Sequence, residues 1–392
     1  MTFDRRAFLR TGLGITGTVA FGAFIPRVAS AAGARDPRFI TLILRGALDG
    51  LAAVPPIGDP GFSSLGRDAL TETTLPLDGM FALHPSLVNF QRQYKAGQAA
   101  VVHASATAYR DRSHFDGQDV LESGYAVPGR RDSGWMNRLL GQLPKGQRAS
   151  SAGLSVGSTT PLALRGPAEV MGWAPTTLPV RDDNLPMRIM ALYEDSDPDL
   201  ARAFDTSLAT QRLAQGATGA ARAPGMGPMT ATARGAARLL AKDDGPRIAA
   251  LSFMGWDTHA AESSRLASLL SDLDGALAQF ETTLGDAWRD TTILVATEFG
   301  RTAAVNGTKG TDHGTGAAAF LVGGAVKGGR VITDWPGLRT AQLLDGRDLA
   351  PTTDLRAVTK GLLGGIYDLS PAALAEIFPD SETATPTAGL IA

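Results

Sequence analysis

The sequence predicts an α/β fold, a mostly parallel sheet sandwiched by helices and carrying one helical or loop insertion. Three observations predict it. Five short apolar runs lack the alternation of a half-exposed strand, so they read as strands buried on both faces. One long helical pattern lies between two of these runs at βαβ spacing. Polar clusters follow the runs, at the edge where open α/β sheets bind ligands.

The elements follow in chain order. "FITLIL" (39–44) is the first strand and "AAVVHA" (99–104) the second, preceded by a helix over 86–94. "RIAALSFM" (247–254), "TTILVAT" (291–297) and "AAAFLVG" (317–323) are the remaining three, and all five are expected to run parallel. Between the third and fourth runs, Leu266, Leu269, Leu270, Leu273, Leu277, Phe280 and Leu284 trace the apolar stripe of one helix. A helix over 355–367 is expected with Thr353 or Asp354 as its cap. In "SPAALAEIF", Ser370 is the N-cap and Pro371 the first helical residue. The stretch from about 157 to 245 is rich in Ala and Gly and reads as a helical insertion or lid.

The chain has 392 residues, 44% apolar and 19% charged, with a net charge of −2. That balance offers no footprint for nucleic acid. With no cysteine, thiol catalysis, zinc–thiolate sites and disulfides are excluded. At the N-terminus, "DRRAFLR" precedes a Gly-rich apolar run and "VASAA". This is a positive segment, an apolar segment and a small-residue cleavage site, expected to be cut after Ala31. Arg5-Arg6 with Phe8-Leu9 matches a twin-arginine signal. The expectation is a signal peptide over 1–31 and one domain over 32–392. The partner in export would be the twin-arginine translocase. The product would be periplasmic or secreted, with no stable membrane span after cleavage, because the apolar run is too short to cross a bilayer.

The polar residues after each run define the candidate site. They are Asp49 in "RGALDG"; Arg110, Arg112, Ser113 and His114 in "YRDRSH"; and Asp257 and His259 in "GWDTH". Glu298 and Arg301 in "EFGRT", and Asp312 and His313 in "TDHG", complete the set. Asp257 and His259 are two apart, which at a strand end turns both side chains to one side. A mixed Asp/Glu/His set suits zinc or manganese. Two such ions can clamp the attacking and leaving oxygens of a phosphoryl transfer. Plainer readings stand beside this one: Asp49 as a turn cap, Asp257 and His259 as a polar pair, and Glu298 with Arg301 as a salt bridge. Ser113, with Asp116 three residues on, reads as the start of a capping box. A hydroxyl there also lies at the positive end of a helix, where an alkoxide and a phosphate are both stabilised. Ser113 is therefore the candidate nucleophile, with Arg112, Arg301 or Arg110 to hold the anion.

In this order, the twin-arginine leader, "LILRGALDGL", "ALHPSL", "RSHFDGQDVLESG", "GWDTH", "TEFGRT" and "TDHG" resemble the bacterial family known as domain of unknown function 1501. That family is similar at a distance to the alkaline phosphatase-like superfamily, which includes sulfatases and metal-dependent phosphomutases. The resemblance covers nearly the whole chain and implies a metal site at the strand ends of an α/β/α sandwich. It implies Asp49, Asp257, His259 and Glu298 as metal ligands and Ser113 as nucleophile. Phe299 follows Glu298 where the superfamily has a histidine, and Asp312 and His313 are the replacements on hand. The expected activity is metal-dependent hydrolysis of phosphate or related anionic esters, with one or two divalent ions and a small anionic substrate. The alternatives are a non-catalytic metal- or anion-binding envelope protein and a phosphotransferase or mutase.

Overall fold

Nine strands form the main sheet. They are β1 (Arg38–Arg45), β4 (Ala99–Ala106), β5 (Gly153–Val156), β6 (Val170–Trp173), β7 (Ile248–Met254), β8 (Thr291–Thr297), β9 (Ala317–Val322), β10 (Arg330–Ile332) and β11 (Thr353–Asp354). Their order is β10-β4-β9-β8-β1-β7-β5-β6, with β11 also paired to β4. The computed structural model that shows them describes residues 35–67, 73–144, 153–175 and 225–392. The expected signal peptide lies outside the described residues, as does 176–224, most of the expected lid.

The sheet is mostly parallel, and β1 sits at its centre, with Leu42 opposite Leu251 of β7 and Val295 of β8. One expected direction is corrected. β9 runs antiparallel to both β4 and β8. It returns from β8 through a loop with no crossover helix, which an antiparallel neighbour permits and a parallel one does not. Burial on both faces was legible in "AAAFLVG"; direction was not. Of the 157–245 region, the described parts belong to the main body. β6 pairs with β5 at the sheet edge, and the helix α5 (Pro228–Leu240) packs on α6 (Glu262–Leu284). A separate hairpin pairs β2 (Leu75–Pro76) with β3 (Ala82–Leu83).

Helices cover both faces. On one, α2 (Val88–Lys95), α5 and α6 pack on Ile40, Leu42, Leu251, Val295 and Phe320. On the other, α4 (Trp135–Gln142), α7 (Leu355–Tyr367) and α8 (Pro371–Ile377) pack on Phe39, Ile43, Ile248, Leu294 and Leu321. The remaining helices, α1 (Gly50–Ala53) and α3 (His114–Ser123), start at the site edge. In α6, Leu266, Leu270, Leu273, Leu277, Phe280 and Leu284 are buried. Each such side chain stabilises by about 2 kcal/mol, which outweighs the tenths that separate helix propensities.

Two helices borrow their caps from α6. Asp272 accepts from the backbone N–H of Met229 and Thr230 at the start of α5 (2.9 and 3.0 Å). Asp274 accepts from Asn89 and Phe90 at the start of α2 (3.0 and 2.8 Å). Asp354 and Ser370 cap α7 and α8 by accepting from Arg356 and Ala373. Residues Asp36–Ala392 form one compact unit. Among the described residues, no helix is long and apolar enough to cross a membrane.

Candidate metal centre

The carboxyl ends of β1, β4, β7 and β8 open onto four loops, and three of these bring imidazoles together. His114 is the first residue of α3, after β4. Asp257 and His259 lie between β7 and α6, and His313 lies between β8 and β9. The Nε2 atoms of His114 and His313 are 3.0 Å apart, and those of His259 and His313 are 3.1 Å apart. Asp257 Oδ1 stands 3.0 Å from His259 Nε2 and 3.3 Å from His313 Nε2, and Asp257 Oδ2 is 3.5 Å from His114 Nε2.

The outer nitrogens decide the tautomers. His114 Nδ1–H donates to Glu298 Oε1 (2.8 Å), His259 Nδ1–H to Asp312 Oδ1 (3.2 Å) and His313 Nδ1–H to the Arg112 carbonyl (3.1 Å). A carboxylate and a carbonyl can only accept, so each ring carries its proton on Nδ1. In the neutral rings three Nε2 lone pairs then face one another beside a carboxylate. Such an array is repulsive without a cation at its centre. Three imidazoles and one carboxylate are a zinc-type donor set. Tetrahedral bonds of about 2.0–2.1 Å would put donors about 3.3 Å apart; donor atoms of His114, Asp257 and His313 all lie within 4.8 Å of one another, and His259 joins them through His313 and Asp257. Metal-bound histidines also characteristically give their second N–H to a carboxylate or carbonyl. The residues fit a metal ion.

The bond to Glu298 holds the His114 ring above its usual pKa, against a smaller effect of burial. Burial and the neighbouring His114 hold His313 below it. For Asp257 burial acts upward, but the Arg301 hydrogen bond and charge prevail and hold the carboxyl below its usual range. Glu298 is likewise held low despite its burial, because His114, Gln118 and the Gly46 amide all donate to it. Gly46 is required there. Its φ is +120°, and a Cβ would come within 2.4 Å of the Asp257 nitrogen.

The other expected site residues take different places. Glu298 and Asp312, expected as ligands, stand behind His114 and His259 and orient them. Asp49 caps α1 through the Ala52 N–H and forms a fully buried pair with Arg67 at 2.7 Å. Arg301 has a fully buried side chain, with Nη1 on Asp257 at 2.6 Å and its other nitrogens on Thr311. Arg112 is pinned by Asp348 (2.8 Å). Ser113 occupies the N-cap position of α3, yet its hydroxyl makes no cap bond. The expected capping box does not form, because the Ser113 N–H is taken by the Tyr109 hydroxyl (3.3 Å). His114 is the residue that sequence reasoning left out of the ligand set. It stands one position after Ser113, in a stretch whose pattern points to a helix cap. The cluster faces an open depression of about 600 Å³ lined by Arg112, His259, Asp312, His313, Asp345 and Arg347.

The model of a family described as "Protein of unknown function (DUF1501)" matches residues 51–378. The chain belongs to the DUF1501 family. Among curated proteins no sequence matches this DUF1501 chain. Solved structures similar to it include the alkaline phosphatase of the Antarctic bacterium TAB5, 16% identical, with 76% of this chain and 95% of that one covered and a TM-score of 0.35. Ps i-CgsB in complex with k-i-k-neocarrahexaose is 11% identical, with 89% and 77% covered and a TM-score of 0.41. An alkaline phosphatase superfamily protein from Vibrio parahaemolyticus is 13% identical, with 74% and 61% covered and a TM-score of 0.30.

Proposed function

We propose that this DUF1501 protein is an exported, metal-dependent hydrolase of phosphate or related anionic esters. It would hold a single zinc or manganese ion through His114, His259, His313 and Asp257. The observation that carries the reading is the convergence of three Nε2 lone pairs on one carboxylate. Exposure separates a working ion from a structural one. The ligand side chains range from 24% exposed at His114 to 45% at His259, and they face the open depression. Structural zinc sites are closed, whereas catalytic ones keep a position for water or substrate.

A bound ion would supply Lewis acidity, polarising the ester oxygen and lowering the pKa of water. The chain's own residues do the rest. Glu298, Asp312 and the Arg112 carbonyl hold the three rings in one tautomer. Arg301 neutralises Asp257. Ser113 presents an uncapped hydroxyl at the N-terminus of α3. Its attack on phosphorus would form a serine phosphate, expel the alcohol and pass the hydroxyl proton to the departing oxygen; water would then release phosphate. Asp49 is committed to Arg67, which favours one ion over two. The leader sequence is the ground for placing this activity outside the cytoplasm.

One observation favours a second reading, a metal-binding protein without turnover. The guanidiniums of Arg301 and Arg112 are already engaged by Asp257 and Asp348, so neither is free to clamp an anion. The deciding experiment is elemental analysis of the exported protein beside His114→Ala and His313→Ala, followed by turnover of p-nitrophenyl phosphate, phosphonate and sulfate. About one ion per chain, lost in both variants, together with turnover, is the expected result. One ion without turnover supports the second reading. A protein that neither carries nor takes up zinc or manganese ends both.

A further inference from the structure

The two loops that bring His259 and His313 together are tied to each other beneath the cluster, by a residue no motif singled out. Glu262 is the first residue of α6, buried in its first turn. One of its oxygens accepts from the Thr258 hydroxyl at 2.6 Å, the other from the Thr311 hydroxyl at 3.0 Å. Thr258 lies between Asp257 and His259; Thr311 immediately precedes Asp312 and His313. Both threonines are fully buried. The same loops also meet through the Thr311 N–H and the Thr258 carbonyl (3.2 Å). On the helix side, Glu262 N–H donates to the Lys309 carbonyl at 2.9 Å and Ala261 N–H to the Thr308 carbonyl at 3.1 Å.

The Thr311 hydroxyl has a fixed sense. It accepts from Arg301 Nε–H at 3.1 Å, so its own proton is free to go to Glu262. Arg301 in turn binds Asp257. One continuous chain of bonds therefore runs from Glu262 through Thr311 and Arg301 to a ligand carboxylate. A second path runs through Thr258 to the loop that carries both Asp257 and His259. Burial and the nearby Asp49 push the Glu262 carboxyl up to about 7. A buried carboxyl kept at such a cost, at the edge of a site, is characteristic of functional positions.

We infer that Glu262 is the positioning residue of the metal centre, clamping the 257–259 and 311–313 loops to the start of α6 so that His259, His313 and Asp257 converge. This rests on the reading that the cluster holds a metal. The Glu262 carboxylate bonds to Thr258 and Thr311 rather than to a ligand, and acts through them and Arg301. Direct hydrogen-bond partners of metal ligands change metal affinity by about 10–100-fold when removed, and Glu262 acts through one such partner, Arg301.

The test uses the whole mature chain and cobalt(II), whose visible spectrum reports ligand geometry. Glu262→Ala and Thr311→Val are expected to weaken cobalt binding by about 10–100-fold and to change the intensity of the visible bands. Thr311→Ser, which keeps the hydroxyl, is expected to restore both. Hydrogen exchange on the metal-free protein gives an independent reading. The amides of Ala261 and Thr311 should exchange at least about tenfold faster in Glu262→Ala, while the β1 amides stay protected. If cobalt affinity, spectrum and exchange all match the parent, the inference is overturned. Should the parent bind no cobalt, the metal reading falls and the exchange comparison alone decides whether Glu262 clamps the loops. A loss of protection throughout the chain would mean a general folding role and would also overturn it.

Discussion

Histidine serves two opposite purposes in this chain, and the difference lies in what each ring nitrogen meets. His114, His259 and His313 spend Nδ1–H on an acceptor and turn Nε2 toward one another. His103 is fully buried between Phe81 and Trp335. Its Nε2–H donates to the Val54 carbonyl, and Nδ1 accepts from Ala104 N–H (2.9 and 2.8 Å). Both nitrogens are satisfied only in the neutral ring. Burial, partly offset by the Val54 carbonyl and Asp49, lowers its pKa from 6.5 to about 4. Because the folded value lies below the unfolded one, its contribution to stability is complete above about 6.5 and is lost as pH falls toward about 4. Urea unfolding of the parent and His103→Gln across that window should show a shallower loss in the variant. Identical slopes would sink the assignment.

At the scale of elements, legibility followed length and pattern. β1, β4, β7 and β8 are runs of seven or eight residues with long apolar stretches, and α6 shows a stripe more than five turns long. β5, β6, β10 and β11 have four residues or fewer. They are strands because a neighbour offers a free edge, which no local pattern records. The site divides in the same way. The strand-end rule singled out the loops that meet, but not which side chains reach the centre and which stand behind an imidazole. That is set by side-chain length and loop direction, as the set-back positions of Glu298 and Asp312 show. The borrowed caps were also invisible, since Gly227 and Leu87 at the N-caps of α5 and α2 offer no side-chain acceptor. Asp272→Ala should leave the α5 amides of Met229 and Thr230 without their acceptor and cost about 1–2 kcal/mol. Chemical denaturation reads this directly, and an unchanged midpoint would show that water caps α5 equally well.

For the whole molecule, one helix links the layers to the site. α6 fills one face of the sheet, caps α2 and α5, and begins at Glu262 under the loops that carry His259 and His313. A chain whose site is tied this closely to its core would have reason to fold before any export. The twin-arginine route passes folded proteins, and the leader sequence proposes it. Replacing Arg5 and Arg6 with lysines should leave the protein folded and metal-loaded in the cytoplasm. Immunoblots of cell fractions check this, and undiminished export would argue for another route.

The donor set has a last consequence. Three imidazoles and a carboxylate contain no sulfur, and the chain has no cysteine anywhere. Peroxide or a change in glutathione poise therefore has no thiolate to attack at this centre. Its competitor is the proton. Each Nε2 lone pair that would hold the ion is also a base, so a bound ion would compete with protons for the same atoms. An ion held in this way would answer to acid rather than to thiol chemistry.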